Sequence, residues 1–162
     1  MKRQFLLFFS LVSFIVYCYT KSDSTLGSNQ TDEGSKSTRV IQIANSFINT
    51  PYKAGGTSKS GMDCSGLVQT SFKKINIQLP RTSVAMSKFG IVVSKKKIKL
   101  GDLLFFNINR LKGTINHVGL VSKVVKGKIY FIHSTTKKGV TISSLQENYW
   151  ATSFVKAVRV IE

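Results

Sequence analysis

The chain has 162 residues, of which 42% are hydrophobic and 10% aromatic, and 24 Lys and Arg stand against 7 Asp and Glu for a net charge of +17. That is enough apolar material for one ordinary core, which excludes the disorder expected of highly charged, apolar-poor chains. The basic surplus points to a polyanionic partner, whether nucleic acid, anionic membrane or acidic polymer, and does not choose among them.

Residues 1–20 open with Lys2-Arg3 and continue in an apolar run from Phe5 to Tyr17 broken only by Ser10 and Ser13. This run is shorter than the roughly 20 residues a membrane-spanning helix needs, so it reads as an export signal. Cys18 follows directly and is a candidate lipidation site of the bacterial lipoprotein kind, although Tyr17 is larger than the residue such signals usually place there. Lipidated, the chain would be tethered to the membrane through its N-terminus alone. Residues 21–38 are rich in Ser, Thr, Gly, Asn and Asp and read as a flexible linker, leaving residues 39–162 as the folded domain. Twenty of the 24 basic residues and 4 of the 7 acidic ones lie in that domain, so it carries +16 of the net charge.

Within the domain, Val40, Ile43, Ala44, Phe47 and Ile48 recur with helical spacing and predict an amphipathic helix. A Pro/Gly-rich loop from Pro51 to Gly61 follows, and a second helix is expected from Asp63-Cys64, with Asp63 or Ser60 as its cap. A short helix is expected at Ser83–Phe89. Thereafter 103–106, 118–125, 128–133 and 154–161 read as strands, with a helical turn near 144–150. Helices followed by antiparallel strands predict an α+β domain with the helices packed on one face of the sheet.

Cys64 is the natural focus for chemistry. At the first turn of a helix, unpaired N–H groups and the helix dipole favour a thiolate, which predicts a lowered thiol pKa. Alternatively, it is a small buried hydrophobe beside Leu67 and Phe72. The chain's only histidines, His117 and His133, both fall at strand ends downstream, the order expected for a nucleophile, its base and an orienting group. A regular two-residue turn at Lys126-Gly127 would put the two histidines on opposite faces; an odd loop or bulge near Gly127 would bring them onto one. Two cysteines in such different surroundings predict neither a disulfide framework nor a zinc site, and no Gly-rich phosphate loop is present, so no metal or cofactor is expected.

Several motifs then occur in series: Pro51-Tyr52 before Gly55-Gly56; Asp63-Cys64-Ser65-Gly66-Leu67-Val68; Leu79-Pro80-Arg81-Thr82-Ser83; Gly101-Asp102 before Leu103–Phe106; Asn116-His117-Val118-Gly119; and Phe131-Ile132-His133-Ser134. Together, from about Arg39 to Ile161, they resemble the NlpC-type cell-wall endopeptidases. Ala54 departs from the Trp common before the Gly-Gly pair, and the segment between the histidines is longer than usual. The resemblance implies a papain-like fold and a cysteine peptidase cutting peptidoglycan stem peptides, typically between γ-D-glutamate and a diamino acid. It implies Cys64 as nucleophile, His117 as base and His133 as the orienting residue, with Tyr52, Asp63 and Ser65 at the substrate. Arg81 is read as a solvated loop residue outside the site, and Asp102 as part of a turn. The alternatives are a catalytically silent, basic envelope-binding protein on the same fold, and an amidase or acyltransferase using the same triad. An exported chain would be periplasmic or envelope-bound, with the anionic envelope and not nucleic acid as the partner of its charge.

Overall fold

A computed structural model of the chain describes residues 31–161. The export segment, Cys18 and the first part of the linker lie outside the described residues. Helix α1 (Thr31–Asn45) begins inside the stretch expected to be linker, before Arg39. Its anchor is the stripe Val40, Ile41, Ala44 and, just beyond, Phe47, all buried. Once that stripe has nucleated the helix, adding turns ahead of it costs little even for weak helix formers.

The loop after α1 contains a small hairpin of β1 (Thr57–Ser58) and β2 (Gly61–Met62) and leads into α2 (Cys64–Lys73). Asp63 caps α2 by accepting the Gly66 N–H at 2.6 Å. Gly66 has a tertiary reason to be glycine: a Cβ there would run into the Gly56 carbonyl, so the bare backbone lets α2 close on the Gly55-Gly56 loop. Helix α3 (Ser83–Met86) is shorter than expected, ending before Phe89.

The strands are β3 (Ile91–Val93), β4 (Leu103–Phe106), β5 (His117–Val125), β6 (Lys128–Thr135), β7 (Gly139–Ser144) and β8 (Phe154–Arg159), with a 3₁₀ turn (Lys95–Lys97) after β3 and helix α4 (Asn148–Ser153) before β8. Among the described residues they form one antiparallel sheet ordered β3-β8-β4-β5-β6-β7. The four strands expected from sequence make its centre, and the two unexpected ones, β3 and β7, are its edges. Edge strands need bury little, so their apolar signal is weak: β3 is three residues long, and β7 is largely Ser, Thr and Gly.

The sheet is buried on both sides. On one, Leu103, Phe105, Val118, Leu120 and Ile132 pack against Val40, Leu67, Val68 and Phe72 of the helices. On the other, Leu104, Phe106, Val121 and Phe131 pack with Trp150 of α4, Leu145 and Ile98. The helical layer is thus one-sided for α1 and α2, while a smaller aromatic core that the expected architecture lacked covers the reverse face. Four consecutive apolar residues in β4, all buried, are the sequence trace of that second core.

The β5–β6 hairpin decides the position of the histidines. Its turn is the regular two-residue one, with Lys126 and Gly127 at φ 48° and 76°. Val125 therefore pairs with Lys128 and Lys123 with Tyr130, but after a bulge at Ser122 the partners become Val121 with Phe131 and Leu120 with Ile132. The one-residue shift that joins the histidines exists, and it lies at Ser122 instead of near Gly127. The length between the histidines forms the hairpin arm beyond this bulge.

Candidate active site

Cys64 is the first residue of α2, half-buried and unpaired as a thiol, and it packs against the helix-side core. Burial pushes its pKa up; the backbone N–H of Val118 pulls it down, the Asp63 carboxylate pushes it up, and the N–H groups of Ser65 and of Cys64 itself pull it down. The net direction is upward. This is the reverse of the lowering expected from the helix end, because desolvation outweighs the dipole here.

Around the cysteine, Asp63 does more than cap. Its two oxygens accept both guanidinium nitrogens of Arg81, at 2.6 and 3.0 Å, and its Oδ2 also accepts the Gly55 N–H at 2.9 Å. Arg81 donates a further bond to Ser65 Oγ at 2.7 Å, and Ser65 Oγ donates to Asp63 Oδ1 at 3.2 Å. Arg81 therefore belongs to the site, contrary to its reading as a solvated loop residue. The signal available was its place directly after Pro80, and what could not be seen was that Asp63 faces it. Burial alone would raise the Asp63 pKa, but the Arg81, Gly66 and Gly55 bonds outweigh it and hold the carboxyl below its usual value. Tyr52 bridges to Met62 beside this cluster and lines the same cleft as Cys64. Burial, and then the negative charges that Cys64 and Asp63 can carry, raise its phenol pKa.

On the sheet side, His117 opens β5 and His133 lies near the end of β6. His117 Nε2 and His133 Nδ1 are 2.9 Å apart, and His133 Nε2 is 3.0 Å from Ser143 Oγ. His133 pairs with Thr141 and Phe131 with Ser143, so the strand alternation puts Ser143 on the face of His133. Both rings are buried among aromatics: Trp150 stacks on His117 at 5.4 Å between centroids and meets His133 edge-on at 4.6 Å. Sequence reasoning missed Ser143 and Trp150. The first sits on the unrecognised β7, and the second is the chain's single Trp, a signal of burial and not of role. Burial lowers the His117 pKa to about 4, with the Arg110 charge adding to it; burial, the neighbouring His117 and Lys138 lower that of His133 further. In each of the three groups burial is the largest influence and favours the uncharged form.

Cys64, His117, His133, Ser143 and Tyr52 line one cleft of about 350 Å³ where the two layers meet. The structure therefore brings together the three expected catalytic residues and Tyr52, and it gathers Asp63, Ser65 and Arg81 behind the thiol. Among the described residues, no three His, Cys, Asp or Glu side chains are grouped to hold a metal ion. Asp102, read as a turn residue, is buried and accepts Arg159 Nε at 2.8 Å and the Lys99 N–H at 2.7 Å, a scaffold role away from the cleft.

Residues 49–159 match the model of the NlpC/P60 family. The "Probable endopeptidase NlpC homolog" of Haemophilus influenzae is 40% identical over 75% of this chain and 62% of its own length. The "Murein DD-endopeptidase MepS/Murein LD-carboxypeptidase" of Escherichia coli K12 is 38% identical over 68% of this chain and 55% of its own. Among solved structures, an NlpC/P60 family protein of Bacillus cereus superposes with a TM-score of 0.69 at 31% identity, covering 78% of this chain and 40% of that one. The chain thus spans between 40% and 62% of these relatives' lengths.

Proposed function

From the premise that this chain belongs to the NlpC/P60 family and has its papain-like fold, we propose that it is an exported cysteine endopeptidase that hydrolyses peptidoglycan stem peptides. The observation that carries the reading is the chain of contacts from His117 through His133 to Ser143 in the cleft that Cys64 also lines. The tautomers that suit a base are those in which His133 Nε2–H donates to Ser143 Oγ and Nδ1 accepts from His117 Nε2–H, which leaves His117 Nδ1 as the nitrogen able to take a proton. In the first half-reaction the Cys64 proton passes to that nitrogen as Sγ attacks the carbonyl carbon. The backbone N–H groups at the start of α2 stabilise the oxyanion. The C–N bond then breaks, the proton moves to the leaving amine, and water, deprotonated by His117, hydrolyses the thioester. With burial favouring the uncharged thiol and imidazole, proton transfer accompanies attack.

Tyr52, Asp63 and Ser65, with Arg81 locking the carboxylate, form the substrate-binding end. The bond we assign is γ-D-glutamyl to diamino acid. The E. coli relative, a murein DD-endopeptidase by name, favours a second reading, cleavage of a DD bond in murein. Export and a Cys18 lipid anchor belong to the same proposal and rest on the sequence of residues 1–20. Incubation with muropeptides followed by mass spectrometry distinguishes the two bonds by product mass. Cys64→Ala is expected to lower hydrolysis by on the order of 10³-fold or more with an unchanged melting curve, and full activity in that variant would sink the reading.

A further inference from the structure

Past Cys64 and His117, the cleft runs between two loops that take no part in the proton chain. The loop from β4 to β5 contributes Arg110, and the turn from β6 to β7 contributes Lys137 and Lys138. All three are exposed and line, from two separate loops, the cleft that holds both rings; the charge of Arg110 acts on His117 and that of Lys138 on His133. Asn116 accepts the Ile108 N–H at 2.8 Å and donates to the Ile108 carbonyl at 3.1 Å, and Lys138 N–H donates to Thr135 Oγ1 at 3.1 Å. The counter-charge in this wall is Glu147, which accepts the Ser144 N–H at 2.7 Å, so three cations face one anion. By contrast, the two other arginines near functional or core positions, Arg81 and Arg159, are matched to Asp63 and Asp102.

We infer that Arg110 and Lys138, assisted by Lys137, form a carboxylate-binding subsite, selecting peptide strands with a free, unamidated carboxylate next to the bond presented to Cys64. Two cations brought into one cleft by separate loops suit a monoanionic ligand, and the guanidinium offers the bidentate geometry a carboxylate accepts. An amidated side chain has the same shape and no charge, so discrimination falls on the charge alone. The identity of the strand as a stem peptide rests on the proposed peptidase function; the subsite itself rests only on the cleft.

The test is alkylation of Cys64 in the full chain by iodoacetate and by iodoacetamide, two reagents alike in size and leaving group that differ in a carboxylate. Peptide mass spectrometry separates Cys64 from Cys18. The iodoacetate-to-iodoacetamide rate ratio is expected to fall about fivefold in Arg110→Gln or Lys138→Gln, the scale of a unit charge acting over a few ångströms of water, and further in the double variant. Lys123→Gln, the same charge change on the exposed hairpin arm, is expected to leave the ratio unchanged. An unchanged ratio in the double variant, or an equal fall in Lys123→Gln, would overturn the inference. Muropeptides with glutamate or its amide provide a second readout, with the wild type favouring the carboxylate form and the double variant losing that preference. If no muropeptide is cut but the alkylation ratio responds, the subsite stands and the hydrolase proposal falls. If muropeptides are cut and neither ratio nor amide preference moves, the subsite falls alone.

Discussion

The two halves of the cleft are built on opposite principles. The thiol half is local and polar: Asp63, Cys64, Ser65 and Gly66 are consecutive, and Arg81, Gly55 and the helix N-terminus close around them with short hydrogen bonds. The imidazole half is remote and aromatic: His117, His133, Ser143 and Trp150 come from three strands and a helix, and burial is what holds them. Polar capping tolerates water and fixes a nucleophile at the edge of the cleft. Burial strips water from the rings, keeps them neutral and ready to accept a proton, and makes their orientation depend on packing.

The contrast implies that damage to packing should strike the imidazole half hardest. Trp150→Ala removes the ring stacked on His117 and opens a cavity in the aromatic core, and we expect a loss of about 3–5 kcal/mol in denaturant unfolding together with lost turnover. Stability unchanged by that substitution would mean that burial is not what holds the rings.

Acid should expose the same half next. Both imidazoles have folded-state pKa values below the roughly 6.5 of the unfolded chain, to about 4 for His117. Below about pH 6.5 the unfolded chain therefore binds protons that the folded one refuses. Stability should be full above that pH and fall by about 1.4 kcal/mol per pH unit for each imidazole as the pH drops toward 4. Melting curves between pH 7 and 4.5 would show this, and His133→Asn should remove about half of the slope; a slope unaffected by the substitution would assign the acid loss elsewhere.

The smallest effect should come from the thiol half. Asp63→Asn keeps a side-chain acceptor for the Gly66 N–H but loses the charge that binds Arg81 and opposes thiolate formation. We expect about 1 kcal/mol of destabilisation and a downward shift of the Cys64 pKa, read from the pH dependence of iodoacetamide alkylation. An upward shift would show that Asp63 assists ionisation.

The sequence was most legible where the site is local. Gly61 to Val68 contains the loop, the cap, the nucleophile and the glycine of close approach in one stretch, and the structure keeps them in that relation. Arg81 was misjudged because an arginine's role depends on which carboxylate it faces, and Asp63 is 18 positions away. Helix α1 likewise reaches from its buried stripe back into the stretch read as linker, on tertiary anchoring that weak local propensity does not reveal.

By itself, then, the sequence determined the order of helices and central strands, the capped cysteine, the pair of candidate histidines and the concentration of +16 of the +17 charge in residues 39–162. Periodicity, capping and charge are properties of neighbouring residues, so they can be read from the string. Tertiary structure alone decided that the histidines meet, because a single extra residue at Ser122 changes which face every later partner occupies. It also decided that Ser143 and Trp150 complete the pair, that desolvation outweighs the helix dipole at Cys64, and that three of the domain's many cations converge on the cleft. Each of these depends on distances between segments far apart in the chain, which only the packed sheet and its two cores set.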